Sequence, residues 1–366
     1  MKIDKIQLTH VRIPLVEPFK ISNGVVSEKD GILVQVYSDG LVGIGEASPM
    51  SGSFYSDDTP ESTWKYLRGA LIPLLKKEQI SSVENVNVLL NGLGGNFYAR
   101  AGIETAFWDL KAQQDGAPLY NTLGGTTNVV ESGLAVGIYL TIQELLTAIV
   151  KHLKEGYKRV KIKIQPGWDV EPLKEIRRTF GNINLMVDAN CGYSSNDIEH
   201  LMVLDDFDLM MIEQPLAKED LEGHAALQAK MKTPICLDES ATDVPTIEQA
   251  ISLGSCRIVN IKIQRAGGLQ QAVAMHDVCA AKGIPVWGGT MPELGIGGAQ
   301  TLHLATLNNF RFPTDVESSR RWFVDDIVEP LIEVHDGTIT IPQGTGNCYQ
   351  LNRTKLRKYL VREETF

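Results

Sequence analysis

Apolar and polar residues alternate along the first part of the chain, from Met1 to about Val42. β-Branched residues dominate Ile3 to Leu15 and Ile32 to Tyr37, and the segment 38–40 (Ser-Asp-Gly) is typical of a turn between strands. From Thr59 to Gln113 the apolar positions recur at helical spacing, as in AGIETAFWDLKAQQ. The two patterns in succession predict a β meander followed by helices, which is a small α+β domain.

After residues 124–125, a pair of glycines, short apolar segments alternate with longer helical stretches. The predicted strands are Gly133 to Gly137, Arg159 to Ile164, Leu185 to Ala189, Leu209 to Glu213, Ile235 to Asp238, Arg257 to Lys262, Ile284 to Gly288 and Phe312 to Val316. Repeated βα units predict a parallel sheet, and eight strands that close on themselves predict a barrel. A doubly wound open sheet is the alternative, but no GxGxxG opens a helix after an early strand.

The predicted fold is therefore α/β, a TIM-like (β/α)7β barrel with an α+β capping domain. We expect residues 1–125 to form the N-terminal part of the capping domain and residues 126–328 to form the barrel with the catalytic site. Residues 329–366 return to turn-rich strand character, as in IEVHDGTITIP, and are expected to rejoin the capping domain.

The composition of the chain indicates which classes of partner the protein binds. A formal net charge of −10 argues against nucleic acid, which favours a net basic surface. No apolar run is long enough to span a bilayer, and the N-terminus lacks the layout of a signal peptide. The five cysteines are scattered and never form CxxC, as in reduced cytoplasmic proteins. We expect a cytoplasmic protein that acts on a small molecule.

Charged residues stand at the ends of five consecutive predicted barrel strands. The steps from Lys163 to Asp188, to Glu213 and to Asp238 are 25 residues each, and the step to Lys262 is 24. Each step is about one βα unit, and equivalent positions of successive units gather on the C-terminal rim of a barrel, where barrel enzymes react. The spacing predicts that three carboxylates and the lysines converge.

Three converging carboxylates would repel one another unless a cation lies between them. The set Asp188, Glu213 and Asp238 offers only oxygen ligands, without Cys or His, which suits Mg²⁺ better than zinc. A single acid at a strand end commonly caps the following helix. Helix capping does not explain a row of acids at constant spacing, flanked by lysines in apolar strands.

The lysines suggest proton transfer. Lys161 and Lys163 lie on one face of their strand because side chains alternate, whereas Lys262 comes from the sixth strand, across the barrel mouth. A lysine that is buried beside a cation can have its pKa lowered toward neutral pH and then act as a base. Removal of a proton next to a carboxylate leaves an enediolate, whose charge Mg²⁺ stabilises.

The motifs VKIKIQPGWD, LMVDAN, MIEQPL, ICLDES and NIKIQRAGGL resemble the muconate-lactonizing subgroup of the enolase superfamily, in order and spacing. With WGGTMPE and FPTDVESSRRWFVDDI, the chain is most similar to the o-succinylbenzoate synthase and N-succinylamino acid racemase group. The resemblance implies that Lys163 and Lys262 are the acid/base catalysts and that Lys161 tunes Lys163. It also implies Mg²⁺, with Mn²⁺ as an alternative, and a supporting set around the metal ligands: Asn190, Glu239 and Arg265.

Two loops of the capping domain are expected to close over the substrate. They are residues 19–24, with Phe19 and Ser22, and residues 50–55, with Met50 and Phe54. By the resemblance, four barrel residues line or border the pocket: Ala135, Thr290, Met291 and Glu293. The family's usual serine is Ala135 here and its usual arginine is Gly298, so the group recognised on the substrate stays open.

The resemblance implies a lyase or isomerase that makes o-succinylbenzoate, racemises N-acylamino acids such as N-succinylamino acids, or does both. Dipeptide epimerisation and muconate-type cycloisomerisation are alternatives, although residues 289–293 lack the Asp-x-Asp typical of dipeptide epimerases. A non-catalytic carboxylate-binding barrel is the alternative of another class, and a metal-dependent hydrolase would favour His-rich ligands. Barrels of this kind commonly form homo-oligomers.

Overall fold

The computed structural model describes residues 2–21, 24–52 and 56–366. Its first three strands, β1 (Ile3–Ile21), β2 (Gly24–Ser38) and β3 (Leu41–Ala47), pair antiparallel in chain order. A turn at residues 39–40 joins β2 to β3, as the sequence predicts, and both of its residues have a positive φ.

The helices of the capping domain follow these strands. They are α1 (Pro60–Tyr66), a π-helical turn (Leu67–Leu71), α2 (Ile72–Lys77), α3 (Val83–Leu93), α4 (Phe97–Gln114) and α5 (Leu119–Leu123). Helix α1 begins with a capping box at Thr59 and has Pro60 in its first turn. Helix α4 packs closely on β3 because two glycines admit its backbone; a Cβ at Gly45 would lie 2.0 Å from the carbonyl oxygen of Gly102.

A short strand, β4 (Val129–Glu131), leads into the barrel. Seven parallel strands then follow: β5 (Leu134–Val136), β6 (Val160–Lys163), β7 (Leu185–Asp188), β8 (Ile212–Glu213), β9 (Ile235–Leu237), β10 (Ile258–Ile261) and β11 (Val286–Gly288). Each strand pairs with the next, in the spatial order β11-β10-β9-β8-β7-β6-β5. Chain order and spatial order coincide, as they do in a barrel.

The segment 310–316 closes this sheet into a ring. The Gly133 N–H donates to the Thr314 carbonyl at 2.8 Å, and the Asp315 N–H donates to the Gly288 carbonyl at 2.9 Å. The segment thus bonds to the chain at both the first and the seventh strand and takes the place of the predicted eighth. The ring of strands and the preceding sheet and helices confirm the predicted barrel with a capping domain.

Helices connect the barrel strands on the outside: α6 (Ile142–Leu153), α7 (Val170–Phe180), α8 (Ile198–Leu201), α9 (Leu221–Lys230), α10 (Val244–Leu253), α11 (Ile263–Ala266), α12 (Leu269–Ala281), α13 (Gly295–Leu304) and α14 (Ser319–Trp322). Two 3-10 turns, Ser195–Asp197 and Met202–Phe207, flank α8. No helix in the described part of the chain is both long and apolar enough to cross a membrane.

The C-terminal segment contains β12 (Val328–Glu329), β13 (Thr338–Thr340), β14 (Gln350–Leu351), α15 (Arg353–Lys358) and β15 (Leu360–Thr365). Strand β15 pairs antiparallel with β1 and forms the outer edge of the capping sheet, whereas β13 pairs with β4. The domain boundaries at residues 125 and 328 stay predictions.

The first predicted lid loop differs from the structure. Phe19, Lys20 and Ile21 continue β1 after an irregularity in the register, with Phe19 opposite Val26 and Lys20 opposite Val25. Prolines and small polar residues around this segment favour a loop, but ladder pairing to β2 and the bond from the Ile138 N–H to the Lys20 carbonyl, 2.9 Å, keep it extended.

Candidate active site

Strand register brings the first charged strand ends together. Lys163, Asp188 and Glu213 are direct neighbours on β6, β7 and β8. The Lys163 Nζ donates to Asp188 Oδ2 at 2.5 Å, and Lys163, Asp188 and Glu213 are all buried. The constant step along the sequence thus becomes a row of side chains at the barrel mouth.

The second predicted catalytic lysine lies across the ring. Lys262 follows β10, which is four positions from β6 in the closed ring of seven strands and segment 310–316. Its Nζ donates to Asp238 Oδ2 at 2.9 Å, and only 6% of Lys262 is exposed. Lys163 and Lys262 therefore approach the barrel mouth from opposite sides, each bonded to one of the predicted metal ligands.

Lys161 lies deeper, among acids. Its Nζ contacts Asp315 closely, Glu213 at 3.2 Å and Asp188 at 3.7 Å. Burial alone would lower the pKa of Lys161, but Asp315, Glu213 and Asp188 together raise it above its ordinary value. Lys161 is accordingly a fixed positive charge beneath Lys163.

The pKa values of the three predicted metal ligands shift in different directions. Burial, and then the neighbouring Asp188, raise the pKa of Glu213 to about 8. Burial would raise the pKa values of Asp188 and Asp238 too, but Lys163 and Lys161 lower the first, while Arg265 and Lys262 lower the second. Cationic neighbours thus favour the ionised forms of Asp188 and Asp238, whereas burial and the charge of Asp188 oppose ionisation of Glu213.

This donor set fits a divalent cation. Among the described residues no three His, Cys, Asp or Glu side chains converge as ready ligands, because each acid here turns to a cationic or amide neighbour. Burial and, after it, repulsion from Asp188 raise the pKa of Glu213, and a divalent ion between the acids would offset that repulsion. Three buried oxygen donors on adjacent strands suit Mg²⁺.

The predicted supporting residues lie beside these acids. The Asn190 backbone N–H donates to Asp188 Oδ1 at 2.9 Å, and its side-chain Nδ2 donates to Glu239 Oε1 at 3.0 Å. Arg265 donates from Nη1 to the Asp238 carbonyl at 2.7 Å and to Oδ1 at 2.5 Å. Arg265 and Lys262 therefore share Asp238.

Sequence reasoning missed three buried members of the cluster. Asp315 bridges Lys161 and Arg159, whose Nη2 lies 2.8 Å from Asp315 Oδ1. Asn260 donates from Nδ2 to Glu213 Oε1 at 2.7 Å. The alternation 159-161-163 in RVKIK, and the place of Asn260 two residues before Lys262, were signals that these side chains share the face of the lysines.

Three predicted substrate contacts border the barrel mouth. Ala135 lies on β5, and its N–H donates to Glu317 Oε1 at 2.9 Å. Met50 is 6% exposed in a cluster that also contains Ala135, with Phe19 packed against it. The Phe19 ring meets Trp322 edge-on at 4.8 Å between centroids.

The predicted substrate contacts that follow β11 lie in two different environments. Thr290 and Glu293 line a small cavity together with Asp315 and Trp322. Met291 instead packs into the apolar cluster of the capping domain, and its carbonyl accepts from Lys29 at 3.5 Å. Ser22 and Phe54 lie outside the described residues. The roles assigned to all of these side chains stay predictions.

The fold and the site define a class of protein, the barrel enzymes that carry lysines and carboxylates at the mouth beneath a capping domain. Residues 3–124 match the model of the mandelate racemase / muconate lactonizing enzyme N-terminal domain, and residues 144–355 match the enolase C-terminal domain-like family. The chain belongs to this family, within the enolase superfamily.

Relatives that match nearly the whole chain indicate which members of the family it resembles. The chain is 42% identical over 360 residues to the o-succinylbenzoate synthase of Geobacillus kaustophilus, covering 98% of this chain and 96% of that protein. It is 41% identical over 347 residues to the N-succinylamino acid racemase of an Amycolatopsis species, covering 94% of each. A crystal structure of an enolase superfamily member from Listeria innocua has a TM-score of 0.95 at 36% identity, with 100% and 99% of the chains covered.

Proposed function

We propose that this enzyme removes a proton next to a substrate carboxylate with the help of Mg²⁺, as an o-succinylbenzoate synthase, an N-succinylamino acid racemase, or both. The observation that carries the proposal is the placement of Lys163 and Lys262 on opposite sides of one buried barrel mouth, each beside a carboxylate. The proposed classes of substrate follow from the similarity to an o-succinylbenzoate synthase and an N-succinylamino acid racemase.

In this proposal Lys163 and Lys262 exchange protons with opposite faces of the same carbon. Asp188, Glu213 and Asp238 would hold Mg²⁺, or Mn²⁺ in its place, and the ion would withdraw charge from the substrate carboxylate. Lys161, kept positive by Asp315, adds a fixed charge beside Lys163. Asn190, Glu239 and Arg265 orient the acids.

Lys163 and Lys262 are 7% and 6% exposed, and this burial would limit the access of water to the reacting centre. Phe19, Met50, Ala135, Thr290 and Glu293 are proposed to shape the acyl or side-chain pocket. A cytoplasmic location agrees with the composition and with five free cysteines. Assembly into a homo-oligomer stays a prediction.

The test is incubation in D₂O with Mg²⁺ and a panel containing the o-succinylbenzoate precursor, both enantiomers of N-succinylamino acids, and dipeptides. NMR follows α-deuterium exchange and product formation. Lys163→Ala and Lys262→Ala should each abolish racemisation, whereas Lys174→Ala, an exposed lysine on α7, should not. Exchange with the dipeptides alone would favour an epimerase, and exchange with no member of the panel would refute the proposal.

A further inference from the structure

Two buried polar side chains connect the capping domain to the chain segment that carries Lys262. This segment, residues 262–268, is here named the Lys262 turn; it contains α11 and ends in Gly267 and Gly268. Glu104 of the capping domain and Gln264 of the turn make the connections, and neither has more than 1% of its surface exposed.

Glu104 lies on α4 and caps the helix that follows the turn. Its Oε2 accepts the Leu269 N–H at 2.7 Å, and its Oε1 accepts the Gln270 N–H at 2.9 Å. Trp108 and Asn87 donate to Oε1 at 2.8 and 3.1 Å and fix the carboxylate from the capping side. A Cβ at Gly268 would lie 2.6 Å from the Glu104 carboxyl carbon, so the glycine makes room for this contact.

Gln264 completes the connection on the other side of the turn. Its Oε1 accepts the Ser48 N–H at 3.0 Å, and its Nε2 donates to the Glu46 carbonyl at 2.8 Å. The Gln264 side-chain amide thus bonds two backbone groups at the end of β3, as a neighbouring strand would. Met50 follows Ser48 by two residues. Buried backbone groups bonded in this way are costly to release.

We propose that the capping domain positions Lys262 through Glu104 and Gln264, which act as positioning residues for one of the two proton transfers. Lys163, in contrast, is itself a paired residue of β6 and lies opposite Asp188 of β7. Lys262 lies one residue beyond the end of β10, in the turn that Glu104 and Gln264 bond to the capping domain. This inference rests on the proposed function, because it assigns the two lysines to opposite faces of one carbon.

The variants Glu104→Gln and Gln264→Leu test it. In Glu104→Gln the new amide group must face one of the backbone or side-chain donors, so a bond is lost without a change of shape. Asp109→Asn is the matched control. Asp109 lies five residues further along α4, is 2% exposed, and accepts the Ile44 and Asn347 N–H groups at 2.7 and 2.6 Å, away from the Lys262 turn.

The readout is the initial rate of α-deuterium exchange for each enantiomer of an N-succinylamino acid separately, by mass spectrometry in D₂O with Mg²⁺. Both positioning variants should lose roughly 10²-fold in exchange of the enantiomer whose α-hydrogen faces Lys262, because small misplacements of a reacting group cost about that much. Exchange of the other enantiomer, which needs only Lys163, should change less than about threefold.

Asp109→Asn should leave the ratio of the two exchange rates as in the wild type. A general loss of stability would lower both rates together, so equal losses in Glu104→Gln and Gln264→Leu would overturn the inference, as would a changed ratio in Asp109→Asn. A wild-type enzyme that exchanges neither enantiomer and makes no o-succinylbenzoate would instead refute the proposed function. One that makes o-succinylbenzoate but exchanges neither enantiomer would overturn the inference, because no proton transfer by Lys262 would then be detected.

Discussion

Asp315 forms ion pairs with two buried cations, Arg159 and Lys161. Removing its negative charge should therefore destabilise the barrel. Asp315 is 5% exposed and lies between Arg159, 1% exposed, and Lys161, 3% exposed. Asp315→Asn keeps the shape of the side chain but removes the negative charge. Removing one partner of a buried ion pair costs about 3–5 kcal/mol, because the remaining charge is uncompensated. Glu213 still faces Lys161 at 3.2 Å, so we expect about 3–4 kcal/mol.

Calorimetry measures this loss as a shift in Tm. An unfolding entropy of about 2.1 cal/mol/K per residue over 366 residues gives about 0.8 kcal/mol/K, so the expected decrease in Tm is about 4–5 °C. Glu175→Gln is the control. It breaks an exposed 2.6 Å pair with Arg178 and should leave Tm within about 1 °C of the wild type.

The double variant Arg159→Met/Asp315→Leu removes both charges of one pair. Its Tm decrease should be smaller than the sum of the decreases for Arg159→Met and Asp315→Leu, because neither member of this pair is left without the other, while Lys161 loses Asp315 equally in the single and the double variant. A decrease for Asp315→Asn no larger than that for Glu175→Gln, or strict additivity in the double variant, would refute the reasoning.

Three further perturbations follow from the site and the domain contacts. Mg²⁺ added to EDTA-treated enzyme should stabilise it by about 2.7 kcal/mol at a hundred times Kd, and Asp238→Asn should abolish the Tm shift; an equal shift in Asp238→Asn would exclude that ligand. Burial raises the pKa of Glu46 from 4.5 to about 7, so the folded state takes up a proton that the unfolded state releases. The stability of the wild type relative to Glu46→Gln should therefore fall as pH rises from 4.5 to about 7, on the order of 3 kcal/mol in total, and a pH-independent difference in Tm would contradict this. Gly268→Ala should lower Tm more than Gly283→Ala, because both glycines have a positive φ but a Cβ at Gly268 meets Glu104, whereas one at Gly283 meets none of the described atoms within 4 Å; equal losses would show that the contact does not matter.

The sequence predicted the barrel and the proximity of Lys163, Asp188 and Glu213 because both follow from repetition. A step of one βα unit returns each residue to the same rim, whatever the helices between them contain. Strand register then places the three side chains side by side. No knowledge of the capping domain is needed for this part of the site.

The remaining contacts depend on packing between segments that no sequence repeat relates. Glu104 appeared as one polar residue in a helical pattern, and only the packing of α4 against the Lys262 turn gives its carboxylate backbone donors. Asp315 falls outside the repeating step and follows a turn-like Pro-Thr pair. The extension of β1 through Phe19 depends on its pairing with Val26, a contact between segments that local propensity favours as a loop.

The pairing of β15 with β1 has a consequence for the newly made chain. Gln7 lies opposite Thr365, so the last strand of the capping sheet joins segments from nearly opposite ends of the sequence. Such distant pairings form slowly and late. During translation the barrel strands leave the ribosome before β15 does, and a nascent polypeptide holds the barrel acids and lysines before its capping sheet has an outer edge.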